Sequence, residues 1–214
     1  DCLSMLESPT SHPLILGMTG ASGASYGLRL LQYLLESGHT VQLLLSKAAQ
    51  IVIHMETELR LPSRPCDIQR ALIEHYRCES GQLQVFGQDE WTAPPASGSA
   101  LVRGMVVCPC TTGTLAAIAN GNSDNLLERA ADVTLKERRK LILAVRETPF
   151  STIHLENMLR LARAGAVILP ANPGFYHRPA TVAELVDFIV ARILDQLDIA
   201  HTLLPRWGQV PAPR

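Results

Sequence analysis

The strongest constraint on this chain is an alternation that runs from end to end: short apolar runs separated by helix-period stretches. The apolar runs fall at 14–18, 41–45, 104–108, 141–145 and 166–169. Helical patterns lie between them, at 22–37, 47–58, 113–120, 126–139 and 152–164. Strands this uniformly apolar are buried on both faces, as when helices cover both sides of a parallel sheet. The expected fold is therefore α/β, a single three-layer domain with a parallel central sheet. Between 62 and 99 the pattern loosens, with a short helix near 67–76 and a further strand at 83–86. Gly38 stands where a left-handed helix cap is wanted. The last helix opens on a capping box, Thr181-Val182-Ala183-Glu184. At 214 residues the chain suits one core, and no repeat or linker divides it. Residues 13–208 are expected to form the domain, with 1–12 a disordered tail and 209–214 a C-terminal tail.

Composition removes several function classes. Net charge is -1, and the longest basic run is Arg138-Arg139-Lys140. That triplet closes a predicted helix, where cations suit the dipole, so no nucleic-acid partner is expected. No apolar run reaches membrane-spanning length and nothing reads as a signal peptide, so no membrane role is expected. The five cysteines (Cys2, Cys66, Cys78, Cys108, Cys110) match no zinc or redox spacing. The chain reads as cytoplasmic, with reduced thiols.

In such sheets, ligands bind beyond the carboxyl ends of the strands. The first strand is followed by Thr19-Gly20-Ala21-Ser22-Gly23-Ala24-Ser25. Small residues let backbone N–H groups approach an anion at the positive end of the next helix. Gly17, Gly20 and Gly23 are spaced by three, which matches neither G-x-G-x-x-G nor a P-loop, and a tight turn without a ligand gives the same letters. After the second strand stands Ser46-Lys47, where a dinucleotide enzyme has Asp or Glu for a ribose. A hydroxyl and a cation suit a mononucleotide phosphate or a flavin edge better. After the third, Thr111-Thr112-Gly113-Thr114 offers more donors than one N-cap needs.

Charged residues complete the set. The fourth strand ends in Arg146-Glu147, which face the crevice in this architecture; a surface ion pair is the plainer reading. Glu56, near Glu58 and Arg60, reads alone as a solvated residue. Arg129 and Lys136 share a helix face about 10 Å apart. Arg192 lies beside an apolar stripe; Asp195 supplies a partner trivially, and a substrate phosphate is the sharper alternative. Tyr176, in the loop after the fifth strand, is placed to clamp a phosphate with Arg192. His177 beside it has no placed partner.

Several ordered segments carry a resemblance. They include Met18-Thr19-Gly20-Ala21-Ser22-Gly23-Ala24, Ser46-Lys47-Ala48-Ala49-Gln50, Pro94-Pro95-Ala96-Ser97-Gly98-Ser99 with Trp91, and Asn125-Leu126-Leu127-Glu128-Arg129. Further on stand Arg146-Glu147, Pro173-Gly174-Phe175-Tyr176-His177 and Leu204-Pro205-Arg206-Trp207-Gly208. From about 14 to 208 the chain resembles the UbiX flavin prenyltransferases. The resemblance implies a flavodoxin-like or Rossmann-like fold that binds FMN. It implies transfer of a dimethylallyl group from dimethylallyl monophosphate to reduced FMN, forming a fourth ring. The prenylated FMN then serves a UbiD-type decarboxylase, in a setting such as ubiquinone biosynthesis. A dodecamer with sites between subunits is implied as well.

Carried over by position, Gly20, Ala21, Ser22, Ser46, Thr111, Thr112, Gly113, Thr114 and Arg146 hold FMN. Trp91, Ser97, Gly98, Arg129, Lys136, Tyr176 and Arg192 bind the prenyl donor. Ser22, Glu56 and Glu147 handle protons. No metal is expected to be required, because the paired-aspartate motif of diphosphate prenyltransferases is missing. Val145 departs from the Pro that the family often has, and Asp124 from an Asn. Three rivals stand beside this reading, one of them direct decarboxylation of an aromatic acid with release of carbon dioxide. An FMN-dependent decarboxylase of the cysteine-decarboxylase type wants a Pro-x-Met-Asn segment, and here Pro109 precedes Cys110-Thr111-Thr112. A non-enzymatic flavin carrier leaves Tyr176, Arg192, Lys136 and Arg129 without a purpose.

Overall fold

A computed structural model describes residues 12–204. Residues 1–11 and 209–214 of the expected tails, and the Pro205-Arg206-Trp207-Gly208 segment, lie outside the described residues; His12 is described, as an exposed residue ahead of the first strand. The strands are β1 (Leu14–Met18), β2 (Val41–Leu45), β3 (Leu83–Phe86), β4 (Gly104–Cys110), β5 (Lys140–Val145) and β6 (Val167–Ile168). They form one sheet in the order β3-β2-β1-β4-β5-β6, parallel at every pairing. The helices are α1 (Ala24–Glu36), α2 (Lys47–Glu56), α3 (Pro65–Tyr76), α4 (Thr112–Ala119), α5 (Leu126–Lys136), α6 (Thr152–Arg163) and α7 (Val182–Gln196). The strand at 83–86 joins the five expected core strands as the edge of the sheet.

Burial explains the layers. Successive residues of a strand point to opposite faces. Leu14, Leu16 and Met18 of β1 join a core with α1, α2, α3 and α7, whereas Ile15 joins one with α4, α5 and α6. Close approach needs glycine at two points. A Cβ on Gly27 would lie 2.2 Å from the Cys108 carbonyl oxygen, so α1 rests directly on β4. A Cβ on Gly20 would lie 2.4 Å from that of Ala48, so the loop after β1 lies against the start of α2.

Helix ends differ from expectation for local reasons. Gly38 does cap α1, with φ 79°, donating to the Leu35 carbonyl at 3.0 Å. The helix expected over 126–139 stops at Lys136, because Arg138 turns left-handed with φ 55°. Before α7, Thr181 accepts from the Glu184 N–H, but Glu184 reaches back to the N–H of Ala180 rather than Thr181.

Strand order reverses between β1 and β4, and the crevice at that reversal is where ligands bind in open α/β sheets. One side chain joins the two strand ends there. Thr19, 3% exposed, donates its hydroxyl to the Pro109 carbonyl at 2.8 Å. The same hydroxyl oxygen accepts the Thr111 N–H at 2.8 Å. The Thr19 N–H also reaches the Pro109 carbonyl, at 3.1 Å. Replacing Thr19 by Val keeps the shape and strands the Thr111 N–H. Thr19→Val is expected to cost about 1–3 kcal/mol in urea denaturation, with Thr19→Ser close to the wild type. Equal midpoints for Thr19→Val and the wild type would remove this bridge from the account of stability.

Candidate active site

The turn after β1 is built around a carboxylate from another element. Gly23, with φ 107°, is the N-cap of α1 and has no side chain to satisfy the first N–H groups. Glu56, the last residue of α2, supplies the acceptor. Its Oε2 takes the Gly23 N–H at 2.8 Å and the Ala24 N–H at 2.9 Å. The Ser22 hydroxyl also bonds this carboxylate. Arg146 closes the group, donating from Nε to the Ser22 carbonyl at 3.1 Å. Partial burial pushes the Glu56 carboxyl up, but Ser22, the two backbone N–H groups and the Arg146 charge outweigh it. The net result holds Glu56 below the usual carboxylate range.

This corrects two expectations. Glu56 is not merely a solvated residue. Two N–H groups at the positive end of α1, those of Gly23 and Ala24, are taken by Glu56 rather than left for a bound anion. The Gly-rich turn was legible in the sequence, but its partner, 33 positions away, left no local sign.

The crevice continues into β2, β4 and β5. Ser46 caps α2, its Oγ accepting the Ala49 N–H at 2.9 Å. Thr111 caps α4, its Oγ1 accepting the Thr114 N–H at 3.1 Å and donating to the Thr114 hydroxyl at 3.0 Å. Thr112 and Gly113 stand in the first turn of α4, which presents N–H groups and hydroxyls together. That donor set fits an anionic phosphate. The Arg146 N–H bonds the Cys110 carbonyl at 3.2 Å, fastening the end of β5 to that of β4. Glu147 comes next and accepts the Thr148 N–H at 3.0 Å. Burial pushes the thiols of Cys108 and Cys110 up, the latter to about 12, so both stay protonated beneath the crevice. Among the described residues, no group of three or more His, Cys, Asp or Glu is placed to hold a metal.

A second group surrounds the loop after a 3-10 turn, Pro94–Ala96. Arg129 donates to the Ala96 carbonyl at 3.2 Å and pairs with Asp132 at 2.8 Å. Arg139 donates to the carbonyls of Gly98 and Ala100, both at 2.8 Å. Lys136 pairs with Glu137 and lies against Gly98, where a Cβ would come 2.9 Å from Nζ. The Ser97 hydroxyl bonds that of Ser99 at 2.8 Å. Ser97, Gly98, Arg129 and Lys136 are thus neighbours within one chain. Arg139 was missed, because its basic triplet read as a simple helix end. Trp91 stands ahead of this loop, 47% exposed.

A third group lies along α7. The Tyr176 ring meets Phe188 edge-on at 5.9 Å, and His177 stacks on Phe188 at 5.5 Å. Arg192 stands one turn beyond Phe188 and pairs with Asp195 at 2.5 Å, the plain partner foreseen from spacing. Tyr176 and Arg192 therefore flank one aromatic residue.

The Glu56 geometry makes a pH prediction. The folded chain holds this carboxyl below its unfolded value, so its contribution to stability is complete above that value and drains away as pH falls through the folded one. The melting-temperature gap between the wild type and Glu56→Gln is expected to close on acidification from about pH 5 to 3. A constant gap over that range would show that α1 does not sense the charge.

Known proteins are similar to this chain in sequence and fold. The model of the Flavoprotein family matches residues 4–194. Flavin prenyltransferase UbiX of Pseudomonas aeruginosa is 59% identical over 196 residues, covering 92% of this chain and 94% of the relative. The crystal structure of AnUbiX (PadA1) in complex with FMN and dimethylallyl pyrophosphate has a TM-score of 0.82 at 39% identity, covering 93% of this chain and 98% of that one. A dodecameric FMN-dependent UbiX-like decarboxylase from Escherichia coli O157:H7 also has a TM-score of 0.82, at 42% identity, covering 92% and 99%.

Proposed function

The chain belongs to the flavoprotein family, and within it to the UbiX flavin prenyltransferases; from that premise we propose that it transfers a dimethylallyl group from dimethylallyl monophosphate to reduced FMN. The observation that carries most weight is the Ser22–Glu56–Arg146 group at the switch point. With Glu56 on the end of α1, the flavin phosphate goes to the first turn of α4, held by Thr111 to Thr114 and by Ser46 across the crevice. That leaves Gly20, Ala21, Ser22 and Arg146 for the ring.

Reduced FMN, as the acceptor substrate, supplies the central-ring nitrogen, which loses its proton as it bonds the carbon that the phosphate leaves, and the adjacent benzenoid carbon, which loses its proton as it bonds the other end of the allyl group, whose double bond takes up a proton. The residues of this chain do the rest. Glu56, kept ionised and bonded to Ser22, accepts a proton as substitution proceeds. Glu147, next to Arg146 beyond the end of β5, is the second candidate carboxylate. Arg129, Lys136, Tyr176 and Arg192 hold the donor's phosphate and stabilise its charge as it leaves with the electron pair of the broken C–O bond. Ser97 and Gly98 line that seat beside Lys136. Trp91 offers its ring face to the developing allyl cation.

These groups stand on separate elements, and the site is completed between copies in a homododecamer. Supporting this, Trp91 and Tyr176 are exposed, as are Ile51 and Met55 on α2 and Leu155 and Leu159 on α6. The product, prenylated FMN, passes to a UbiD-type decarboxylase. A cytoplasmic setting accords with the free thiols of Cys66, Cys78, Cys108 and Cys110. Among the described residues, no helix is long and apolar enough to cross a membrane.

The test is anaerobic incubation with reduced FMN and dimethylallyl monophosphate, then mass spectrometry of the released flavin. The expected result is a gain of one prenyl unit, dependent on the protein. Unchanged FMN with carbon dioxide released from an added acid would favour direct decarboxylation; unchanged FMN alone would favour a flavin carrier. Glu147→Gln is expected to bind FMN normally and lose at least about tenfold in prenylation, the lower range for a lost acid–base group. Full activity would take Glu147 out of proton handling.

A further inference from the structure

We propose that Asp195 is a positioning residue for Arg192, and that His201 holds Asp195 in place. This rests on the reading of Arg192 as a ligand of the donor phosphate. The Asp195 carboxylate divides its oxygens between two partners. Oδ2 takes the Arg192 Nη1 at 2.5 Å, and Oδ1 meets the His201 Nε2 at 3.1 Å. An ionised carboxylate only accepts, so Nε2 carries the proton. The second ring nitrogen, Nδ1, is buried without a hydrogen-bond partner.

Stability does not account for this arrangement. An exposed i,i+3 ion pair contributes little, and the Arg192 side chain is 49% exposed. Yet the side chain of His201 is only 9% exposed, and burying an imidazole with one bare nitrogen costs free energy. The fold spends that cost on a carboxylate whose other contact is the far end of an arginine. Orientation is what the arginine gains. A guanidinium has five N–H donors in a fixed fork, and the bond to Asp195 uses Nη1. Anchoring at one corner fixes the plane and leaves the remaining N–H groups for phosphate oxygens. Without that anchor, each binding event must first order a long side chain.

The experiment is a double-mutant cycle read by steady-state kinetics, with reduced FMN saturating and dimethylallyl monophosphate varied. Asp195→Asn is expected to raise the KM for the donor about tenfold, with a smaller fall in kcat and FMN affinity unchanged. Asp195→Glu should recover part of the loss, and His201→Gln should act in the same direction, more weakly. In an Arg192→Ala background, Asp195→Asn should have no further effect, because the two act as one unit. If Arg192→Ala raises KM but Asp195→Asn and His201→Gln do not, the positioning role is overturned while the phosphate reading stands. Additive effects in the double variant, or FMN affinity falling as KM rises, also overturn it. If Arg192→Ala leaves KM unchanged, the phosphate reading fails and this inference falls with it.

Discussion

A single hydroxyl holds together the place where this sheet changes direction. Thr19 Oγ1 donates to the Pro109 carbonyl and accepts from the Thr111 N–H, so the ends of β1 and β4 share one atom as a pivot. The segments beyond both strands take their positions from that atom. Beyond β1 comes the turn that carries Ser22 and Gly23; beyond β4 comes the first turn of α4. Arg146 then joins through the Cys110 carbonyl, bringing in the end of β5. Three strands that meet only along their lengths are thus tied at their tips by polar contacts in a low-dielectric setting, where such bonds are strong and their loss is costly.

The second organising feature is the carboxylate on α1. Many folds of this kind leave the end of the first helix open for a phosphate. Here Glu56 fills it, and the helix end in turn keeps Glu56 charged. One arrangement thus serves two purposes. It completes the N-cap that Gly23 cannot supply, and it keeps a carboxylate charged beside the Ser22 hydroxyl.

The alternation of apolar runs and helical patterns was enough to read the layers, because burial on both faces leaves a plain mark in composition. Motif letters were legible without their reasons. Gly20 is needed for contact with Ala48 and Gly23 for a positive φ, which spacing by three does not distinguish. Glu56 was legible as a candidate site residue only through resemblance, since its partners are set by how α2 lies against the β1 turn. The basic triplet hid Arg139, because a helix-end cation and a loop anchor have the same local sequence. The pairing of Arg192 with Asp195 was readable from helical spacing, whereas His201 came from a turn beyond the helix that no periodicity describes.

The loop from Pro94 to Ala100 has a property of its own. Arg129 and Arg139 hold it by the carbonyl oxygens of Ala96, Gly98 and Ala100, groups that every amino acid possesses. Its anchorage is therefore largely indifferent to which side chains it carries. Selection, or a protein engineer, has latitude to exchange residues there and reshape the surface of the loop, while α5 and the turn after it go on gripping the same backbone. Gly98, pressed against Lys136 and Glu137, and the buried Pro95 are the exceptions. The segment is held mainly by its backbone, with Gly98 and the buried Pro95 as its fixed points.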